Sequence, residues 1–317
     1  MFRVGVDLGG TKIQSVLLNK DNRVLANDRR LTPHDSGPPG VAQAIAGSVT
    51  QVIKKSKVAT ADVVGVGVGS PGQIDKRAGT VSHAGNLPDW DQTFPLGIEL
   101  AAQIDKPVDL GNDVQLAVRA ESELGAGANL NSFIGVFLGT GIGGGVIINR
   151  KEWLGRGAAG EIGHMIVNQD GPSCPCGRFG CLEAYAGRAA MEAQARAWQD
   201  TGQKTILFDI MKRKKRERLT SGVWAKALKK HDPMATRLID RAVTALSVGI
   251  ASAVNLLDPD GVVVGGGLGI RLGQPFLDRV VQETTPLMIS RERPPQFAVA
   301  SLGDLGGAIG AGLLPLD

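Results

Sequence analysis

The chain has 317 residues, of which 43% are hydrophobic, so it can bury a substantial core, and its length predicts about two domains. Only 4% of the residues are aromatic, which disfavours a base-stacking surface for single-stranded nucleic acid. The net charge of +4 is too small and too dispersed to indicate a nucleic-acid partner. We therefore expect no nucleic-acid partner.

The N-terminus enters directly into a strand-like segment, Phe2–Asp7, without a basic region followed by a longer apolar stretch. We therefore expect no signal peptide. No run approaches the roughly 18 apolar residues that a bilayer-spanning helix needs, so we expect no membrane association. Cysteines kept reduced for a metal favour the cytoplasm as the compartment.

The first third of the chain alternates strand-like and helix-like segments, a pattern typical of an α/β fold. One helix is indicated by an apolar stripe at spacings of three and four residues, and the buried strands are indicated by short apolar runs. The predicted elements are strands at 2–8, Lys12–Leu18 and Val24–Leu31, a helix at Val41–Lys55, a strand at Val63–Val68, a helix at Phe94–Ile104, a strand at Pro107–Leu110 and a helix from Asp113 to about Leu124.

The pattern then restarts. A strand at Phe133–Leu138 leads into the glycine-rich turn Gly139–Gly145 and a strand at Val146–Ile148, just as the first strand leads into Gly9-Gly10-Thr11. This weak internal repeat predicts two similar halves that face each other. The remaining predicted elements are helices at Leu182–Gln199, Gly222–Lys230 and Pro233–Leu257, strands at Val262–Val264 and Phe297–Ala300, and a terminal helix at Gly306–Leu314.

These elements divide into two predicted α/β domains. Residues 1–117 form the smaller N-terminal domain, which the C-terminal helix 306–317 joins. Residues 118–305 form the larger C-terminal domain, and it carries the cysteine-rich loop described next.

All three cysteines of the chain lie within eight residues, and the first of them follows a histidine by ten residues. Together, His164, Cys174, Cys176 and Cys181 form a complete set of ligands for one tetrahedral zinc ion. The alternatives are three buried thiols, or a disulfide with one thiol left over. Glu161 and Glu183 flank the set. A metal-braced loop would hold these two carboxylates in fixed positions, which suits a polyhydroxyl ligand.

Three glycine-rich turns follow strands: Gly9-Gly10-Thr11, Gly139–Gly145 and Gly265–Gly267. Glycine lets backbone N–H groups approach an anion closely because no Cβ intervenes. The first two turns match neither the Walker pattern nor the Rossmann spacing, so a dinucleotide oxidoreductase is disfavoured. Any single turn could be only a tight hairpin, but three together indicate phosphate binding.

Two aspartates have positions that suit phosphoryl transfer. Asp7 precedes the first glycine turn, and a carboxylate beside bound phosphate is best explained by Mg²⁺. Asp113 follows Gly111-Asn112 at a strand-to-helix junction, where it could accept the proton of an attacking hydroxyl. Asp113 could also be a helix cap.

Because it contains these motifs, the chain resembles the ROK family of bacterial sugar kinases and repressors, within the actin-like ATPase superfamily. The resemblance extends from residue 4 to about residue 312, and the cysteine block is its most specific part. The motifs occur in the order Asp7-Leu8-Gly9-Gly10-Thr11-Lys12, Gly69-Ser70-Pro71-Gly72, Gly85-Asn86, Asn112-Asp113, Gly139–Gly145, Glu161-Ile162-Gly163-His164 and Cys174–Glu183.

The resemblance implies two ribonuclease H-like domains with a sugar bound in the cleft between them. ATP would be bound by Asp7, Gly10, Thr11, Lys12, Thr140, Gly141, Gly265 and Gly266, with Asp7 supporting Mg²⁺. Sugar hydroxyls would be bound by Asn86, Asn112, Glu161, His164 and Glu183, with Asp113 as catalytic base. His164 would have a second task, because one ring nitrogen would ligate a structural zinc together with the three cysteines.

The function that follows is ATP-dependent phosphorylation of a hexose at the 6-hydroxyl, with glucose the preferred acceptor. N-acetylglucosamine, mannose or fructose as acceptor, and polyphosphate as donor, remain alternatives. A sugar-sensing ROK repressor is disfavoured because the first strand leaves no room upstream for a helix-turn-helix.

The family resemblance also implies a homodimer or homotetramer. The basic segment Lys212–Arg218 has no family motif; it would be a solvated helix face or loop, or a polyanion contact.

Overall fold

The computed structural model describes residues 1–85, 87 and 89–314. Asn86, which the resemblance assigns to the sugar, lies outside the described residues. The chain forms two compact units, Met1–Leu124 with Asp304–Asp317, and Gly125–Gly303.

The strands, in chain order, are β1 (Phe2–Leu8), β2 (Lys12–Leu18), β3 (Val24–Leu31), β4 (Val63–Ser70), β5 (Gln73–Asp75), β6 (Thr80–Ser82), β7 (Val108–Asn112), β8 (Phe133–Leu138), β9 (Ile142–Ile148), β10 (Lys151–Glu152), β11 (Gly261–Gly265) and β12 (Gln296–Val299). The α-helices are α1 (Gly37–Ser56), α2 (Leu96–Ile104), α3 (Asp113–Leu124), α4 (Leu182–Ala186), α5 (Arg188–Asp200), α6 (Leu207–Arg213), α7 (Ser221–Lys229), α8 (Pro233–Leu257), α9 (Gly266–Thr284) and α10 (Gly306–Leu313).

The first unit is built on a five-stranded sheet of order β3-β2-β1-β4-β7. The strands β1, β2 and β3 pair antiparallel, whereas β4 and β7 run parallel to β1. Apolar side chains of alternate β1 residues pack with α1 in the main core of the unit. The other face of β1 meets α10, which approaches so closely that a Cβ on Gly5 would lie 1.9 Å from the carbonyl oxygen of Ala308. Asp7 is on this second face, because side chains alternate along a strand.

The second unit repeats the arrangement with a sheet of order β10-β9-β8-β11-β12. Here β8, β9 and β10 pair antiparallel, and β11 and β12 run parallel to β8. The repeat of strand, glycine turn and strand predicted from the sequence is therefore confirmed in the sheets of both units.

The structure corrects several predicted elements. The helix predicted at Leu182–Gln199 is two helices, because Gly187 adopts an extended conformation with φ −65° and ψ 136°. The glycines Gly143–Gly145 lie within β9 rather than in the preceding turn. Helices α6 and α9 and the hairpin β5–β6 were not predicted. The internal Pro275 and the non-helical Gly273 hide the helical pattern of α9 in the sequence.

Within the part of the chain that the structure describes, one helix, α8, is long and apolar enough to cross a membrane by length and composition. The prediction that no such segment exists was wrong in that respect. However, 67% of its most apolar window is buried within the second unit, and its side chains belong to the core there. This is the burial expected of the central helix of a packed domain.

Candidate functional site

The first glycine turn joins β1 to β2, and several hydrogen bonds stabilise it. The amide of Gly9 donates to the carbonyl of Lys12 at 2.9 Å. Thr32 at the end of β3 supports the turn twice: its hydroxyl donates to the carbonyl of Gly9 at 2.6 Å, and its amide donates to the carbonyl of Thr11 at 3.2 Å. Gly10 is half-buried and Thr11 is exposed, so both are accessible to a ligand.

Asp7 lies beside this turn in a setting that suits a hard cation. A Cβ on Gly307 of α10 would lie 2.9 Å from the Asp7 carboxyl carbon. Burial raises the pKa of Asp7 to about 6, Lys12 opposes that rise, and Asp304 adds to it. Lys12 Nζ lies 3.6 Å from an Asp304 carboxylate oxygen. Carboxylate oxygens are the ligands that Mg²⁺ prefers, so these residues fit a role in supporting that ion.

No motif in the sequence indicated a role for Asp304. Its contribution becomes visible only because α10, far away in sequence, packs against β1. An acidic residue just before a glycine-rich helix was the one available signal.

Asn112 and Asp113 stand at the junction between β7 and α3. The side-chain oxygen of Asn112 accepts hydrogen bonds from the amides of Val114 and Gln115, both at 3.1 Å. Asn112 therefore caps the helix, which leaves its amide nitrogen as the group able to reach a ligand. One Asp113 oxygen accepts from the amide of Val114 at 2.9 Å. A carboxylate at this position is the type of group that a general base requires.

In the second unit the corresponding turn joins β8 to β9. The amide of Gly139 donates to the carbonyl of Gly141 at 2.9 Å. The N-terminus of α5 supports this turn, because the amide of Ala189 donates to the carbonyl of Thr140 at 2.9 Å. Arg188, the first residue of α5, donates through Nε to the Gly139 carbonyl at 3.1 Å and through Nη2 to the Thr140 hydroxyl oxygen at 3.2 Å. No motif in the sequence indicated a role for Arg188.

Glu183 lies directly against this second turn. Its Oε2 accepts a hydrogen bond from the amide of Ile142 at 2.7 Å. A Cβ on Gly141 would lie 2.0 Å from the same oxygen, so only glycine fits at that position while the contact exists. A residue expected at the sugar is thus in contact with a turn expected at the phosphates, both within one unit.

The histidine and the three cysteines come together as one group. Their ligand atoms all lie within 4.8 Å of one another. A zinc ion with tetrahedral bonds of about 2.3 Å separates its sulfur ligands by about 3.8 Å. The Cys176 and Cys181 sulfurs are 3.7 Å apart, and Cys174 Sγ is 3.8 Å from His164 Nδ1. The group therefore fits a zinc ion, and it excludes the disulfide alternative, since all three thiols are free.

The two ring nitrogens of His164 face different partners. Nδ1 is directed towards the cysteine sulfurs, whereas Nε2 lies 3.9 Å from a Glu161 carboxylate oxygen. Glu161 itself is exposed, with 53% of its side chain accessible. The geometry thus leaves Nε2 and the Glu161 carboxylate side by side, available to hydroxyl groups.

The thiols differ in their acidity. A hydrogen bond from Arg178 lowers the pKa of the exposed Cys176 to about 6, which favours the thiolate that binds metals. Burial raises the pKa of Cys174 and of Cys181. Binding of a zinc ion would therefore release protons from the two buried thiols.

The third glycine turn lies at the junction between β11 and α9. Gly266 has a φ of 75°, and a Cβ there would lie 2.5 Å from the carbonyl oxygen of Leu138. This contact brings the start of α9 to the end of β8, next to the turn that begins at Gly139. The predicted nucleotide residues of the second unit are therefore neighbours. Ser221, at the start of α7, lies 3.5 Å from a Cβ placed on Gly267.

Comparison with known proteins gives a consistent result. The chain is 33% identical to a glucokinase from Thermotoga maritima over 90% of this chain and 89% of the relative. It is 30% identical to an N-acetylmannosamine kinase from Haemophilus influenzae, over 97% and 93%. A crystal structure of a ROK family glucokinase from Streptomyces griseus, in complex with glucose and AMPPNP, matches with a TM-score of 0.83 and 30% identity, over 99% of both chains. The sequence profile described as the ROK family matches residues 3–317, and the chain belongs to that family.

Proposed function

We propose that this protein is an ATP-dependent hexokinase that phosphorylates glucose at the 6-hydroxyl. The observation that carries the proposal is the contact of Glu183 with Gly141 and Ile142. This contact connects two features: the loop that carries the four candidate zinc ligands, and a glycine turn suited to binding phosphates. A kinase needs the sugar hydroxyl and the phosphate donor to be held close together in a fixed geometry.

The reaction transfers the γ-phosphoryl group of ATP to the sugar. The 6-hydroxyl oxygen forms a bond to the γ-phosphorus, the bond from that phosphorus to the β–γ bridging oxygen breaks, and ADP leaves. Asp113 accepts the hydroxyl proton, which makes the oxygen a better nucleophile. The hydrogen bond from the amide of Val114 fixes the orientation of the carboxylate.

Both glycine turns contribute to binding of the donor. Gly10 and Thr11 of the first unit, and Thr140 and Gly141 of the second, offer backbone N–H and hydroxyl groups to phosphate oxygens. Gly265 and Gly266 allow close approach of the adenosine. Mg²⁺, supported by Asp7, would neutralise charge on the phosphates during transfer, and Lys12 adds a positive charge beside it.

The sugar is bound by polar groups that match its hydroxyls. Glu161, the Nε2 of His164 and the second oxygen of Glu183 would accept or donate hydrogen bonds, together with Asn112 and Asn86. Such a site discriminates against a wrong sugar because buried polar groups are then left unpaired.

The zinc ion would have a structural role. Four protein ligands leave no open coordination position for a substrate or a reactive water. His164 would link the ion to the sugar, since one ring nitrogen faces the sulfurs and the other faces Glu161. Loss of the ion would therefore weaken sugar binding indirectly.

A coupled phosphorylation assay with ATP and Mg²⁺ tests the proposal. The acceptor panel is glucose, mannose, fructose, N-acetylglucosamine and N-acetylmannosamine, and polyphosphate replaces ATP in a parallel series. We expect the highest kcat/KM with glucose and ATP. Turnover of only an N-acetylated sugar would reject glucose as the acceptor. Turnover with polyphosphate but not with ATP would reject ATP as the donor. Absence of phosphoryl transfer to every sugar would reject the kinase. Light scattering of the same sample measures whether the chain forms the expected dimer or tetramer.

A further inference from the structure

The N-terminal end of α5 connects the second glycine turn to the end of the basic segment. Arg188 donates to the carbonyl of Leu219 through Nη1 at 3.5 Å, and the amide of Leu219 donates to Glu192 Oε2 at 2.8 Å. Arg188 and Glu192 lie one helical turn apart, so one face of α5 holds both polar groups of the Leu219 backbone. The segment Lys212–Arg218, which no motif explained, therefore ends beside the turn.

Positive charge exceeds negative charge at this place. Glu192 is buried and forms a short ion pair with Arg196 Nη2 at 2.6 Å, so much of its charge is already matched. Arg218 lies 3.5 Å from the same carboxylate. Burial, and then the charge of Arg218, lower the pKa of Arg188 from its usual value, with Glu192 opposing the change. Arg196 and Arg218 thus both pair with Glu192, which leaves the charge of Arg188 only partly compensated.

The hydroxyl of Thr140 is oriented by this arrangement. A guanidinium group has no acceptor, so in the contact between Arg188 Nη2 and Thr140 Oγ1 the threonine oxygen must accept. The hydroxyl proton of Thr140 is then directed away from Arg188. Because the carbonyls of Gly139 and Thr140 are also occupied by α5, the turn presents donors rather than acceptors to a ligand.

We propose that Arg188 is a positioning residue for the phosphate donor: it holds Thr140 so that its hydroxyl donates to a phosphate oxygen, and its charge with that of Arg218 attracts the anionic tail of ATP. The inference rests on the proposed function, because it assigns the nucleotide to this turn. It also gives the basic segment a role, since Arg218 brings one of its charges to the site.

The test uses four single variants of the full chain: Arg188→Gln, Arg188→Lys, Thr140→Val, and Arg237→Gln as the control. Arg237 stacks over Trp198 on the surface of the second unit, with its guanidinium carbon 4.2 Å from the ring centroid. Losing one charged hydrogen bond should raise KM for ATP by about 10- to 100-fold in Arg188→Gln. The KM for ATP of Arg188→Lys should lie between those of Arg188→Gln and the wild type, because lysine retains the charge but lacks the planar guanidinium group.

KM for glucose should change by less than about twofold in these variants, and Arg237→Gln should behave as the wild type. The double variant Arg188→Gln/Thr140→Val should be little worse than the more impaired single variant, because both changes remove the same oriented hydroxyl. A second readout is the rise in melting temperature caused by a non-hydrolysable ATP analogue. That rise should shrink in Arg188→Gln, while the rise caused by glucose stays.

Three results would overturn the inference: an unchanged KM for ATP, an equal loss of affinity for ATP and glucose, or full additivity of the two substitutions. If Arg188→Gln does not fold, Thr140→Val and Arg188→Lys still test the inference. An unaltered KM for ATP in both of these variants would reject it. Failure of the proposed function is recognised separately, because the wild type would then transfer phosphate to no sugar. The analogue-induced melting shift would still report on Arg188 in that case.

Discussion

The two glycine turns, Gly9–Thr11 and Gly139–Gly141, occupy the same place in two sheets of the same strand order, yet different groups support them. In the first unit a neutral threonine, Thr32, holds the turn, and the charged residues nearby are Asp7, Lys12 and Asp304. In the second unit, Arg188 at the start of a helix and the carboxylate of Glu183 hold the turn.

This difference indicates how one hairpin can serve two tasks. The first turn has acids beside it, which suit a divalent cation and, on the same unit, a proton acceptor. The second turn has the carboxylate of Glu183 on one side, and on the other it has the cation Arg188 and a helix N-terminus, which suit an anion directly. We therefore expect substitutions in the first unit to affect mainly kcat, and substitutions in the second to affect mainly KM.

The largest expected effect is that of Asp113→Asn in the first unit. The substitution preserves the size of the side chain and an oxygen for the Val114 amide, but removes the ability to accept the hydroxyl proton. We expect kcat to fall by about 10²- to 10⁴-fold with glucose binding retained, measured by turnover and by calorimetric titration. Asp109→Asn, an exposed position on β7, is the matched control and should keep full activity. Near-normal turnover of Asp113→Asn would reject the assigned base.

The next largest effect is expected at the zinc ligands of the second unit. Cys176→Ser removes an exposed ligand without creating a cavity. We expect loss of bound zinc, a lower melting temperature, and a rise in KM for glucose that exceeds the change in kcat, because the loop bearing Glu161 and Glu183 loses its brace. Metal analysis per chain checks the first point. Ser173→Ala, in the same loop, should retain zinc. Zinc retained at full stoichiometry in Cys176→Ser would contradict the ligand assignment.

Much of this fold can be predicted from the sequence because its signals are local. The three strands β1, β2 and β3 were predicted within a residue of their observed bounds, since turn residues separate compact apolar runs. Helix α8 was predicted from the cap and proline at Asp232-Pro233. By contrast, α9 begins in a run of glycines and contains Pro275, so its local pattern opposes helix, and tertiary packing against α8 and β12 decides its conformation.

For the candidate site, the sequence predicted which residues could bind ligands or a metal, but not which other residues hold them in position. The cysteine spacing predicted a ligand set that the structure brings within metal-binding distance. Arg188 and Asp304 were missed because their roles depend on contacts across 48 and 292 residues of sequence, to Thr140 and to Lys12. A lone arginine in a helix carries no local signal for such a contact.

Steric tests compare the two turns directly. A Cβ at Gly141 would lie 2.0 Å from the Glu183 carboxylate, whereas at Gly139 the nearest atom is 3.8 Å away and at Gly9 it is 3.3 Å away. Gly141→Ala must therefore displace Glu183, at a cost of about 1–3 kcal/mol. We expect a raised KM for both glucose and ATP in Gly141→Ala, a small effect in Gly9→Ala, and nearly wild-type kinetics in Gly139→Ala. Equal kinetics for all three alanine variants would show that the Glu183 contact has no functional weight.

The last expected effect concerns the stability contributed by Asp7, whose raised pKa distinguishes the first turn from the second. The pKa of Asp7 is raised from 3.8 to about 6, so the folded state favours the protonated form. The stability gained from that proton is complete below about pH 4 and is lost as pH rises through about 6. Asp7→Asn removes this dependence. Its unfolding free energy relative to wild type should therefore rise by at most about 3 kcal/mol between pH 4 and pH 8.

Urea unfolding of the metal-free proteins at several pH values measures this difference, and Thr140→Val in the second turn should give a difference that does not vary with pH. The kcat of Asp7→Asn should be lower than that of the wild type, because the amide can no longer support Mg²⁺. For the same reason, the kcat of the wild type should fall as pH drops below about 6 and Asp7 becomes protonated. A stability difference between wild type and Asp7→Asn that stays constant from pH 4 to pH 8 would mean that Asp7 is not held in its protonated form. The first turn would then lack the acid of raised pKa that distinguishes it from the second.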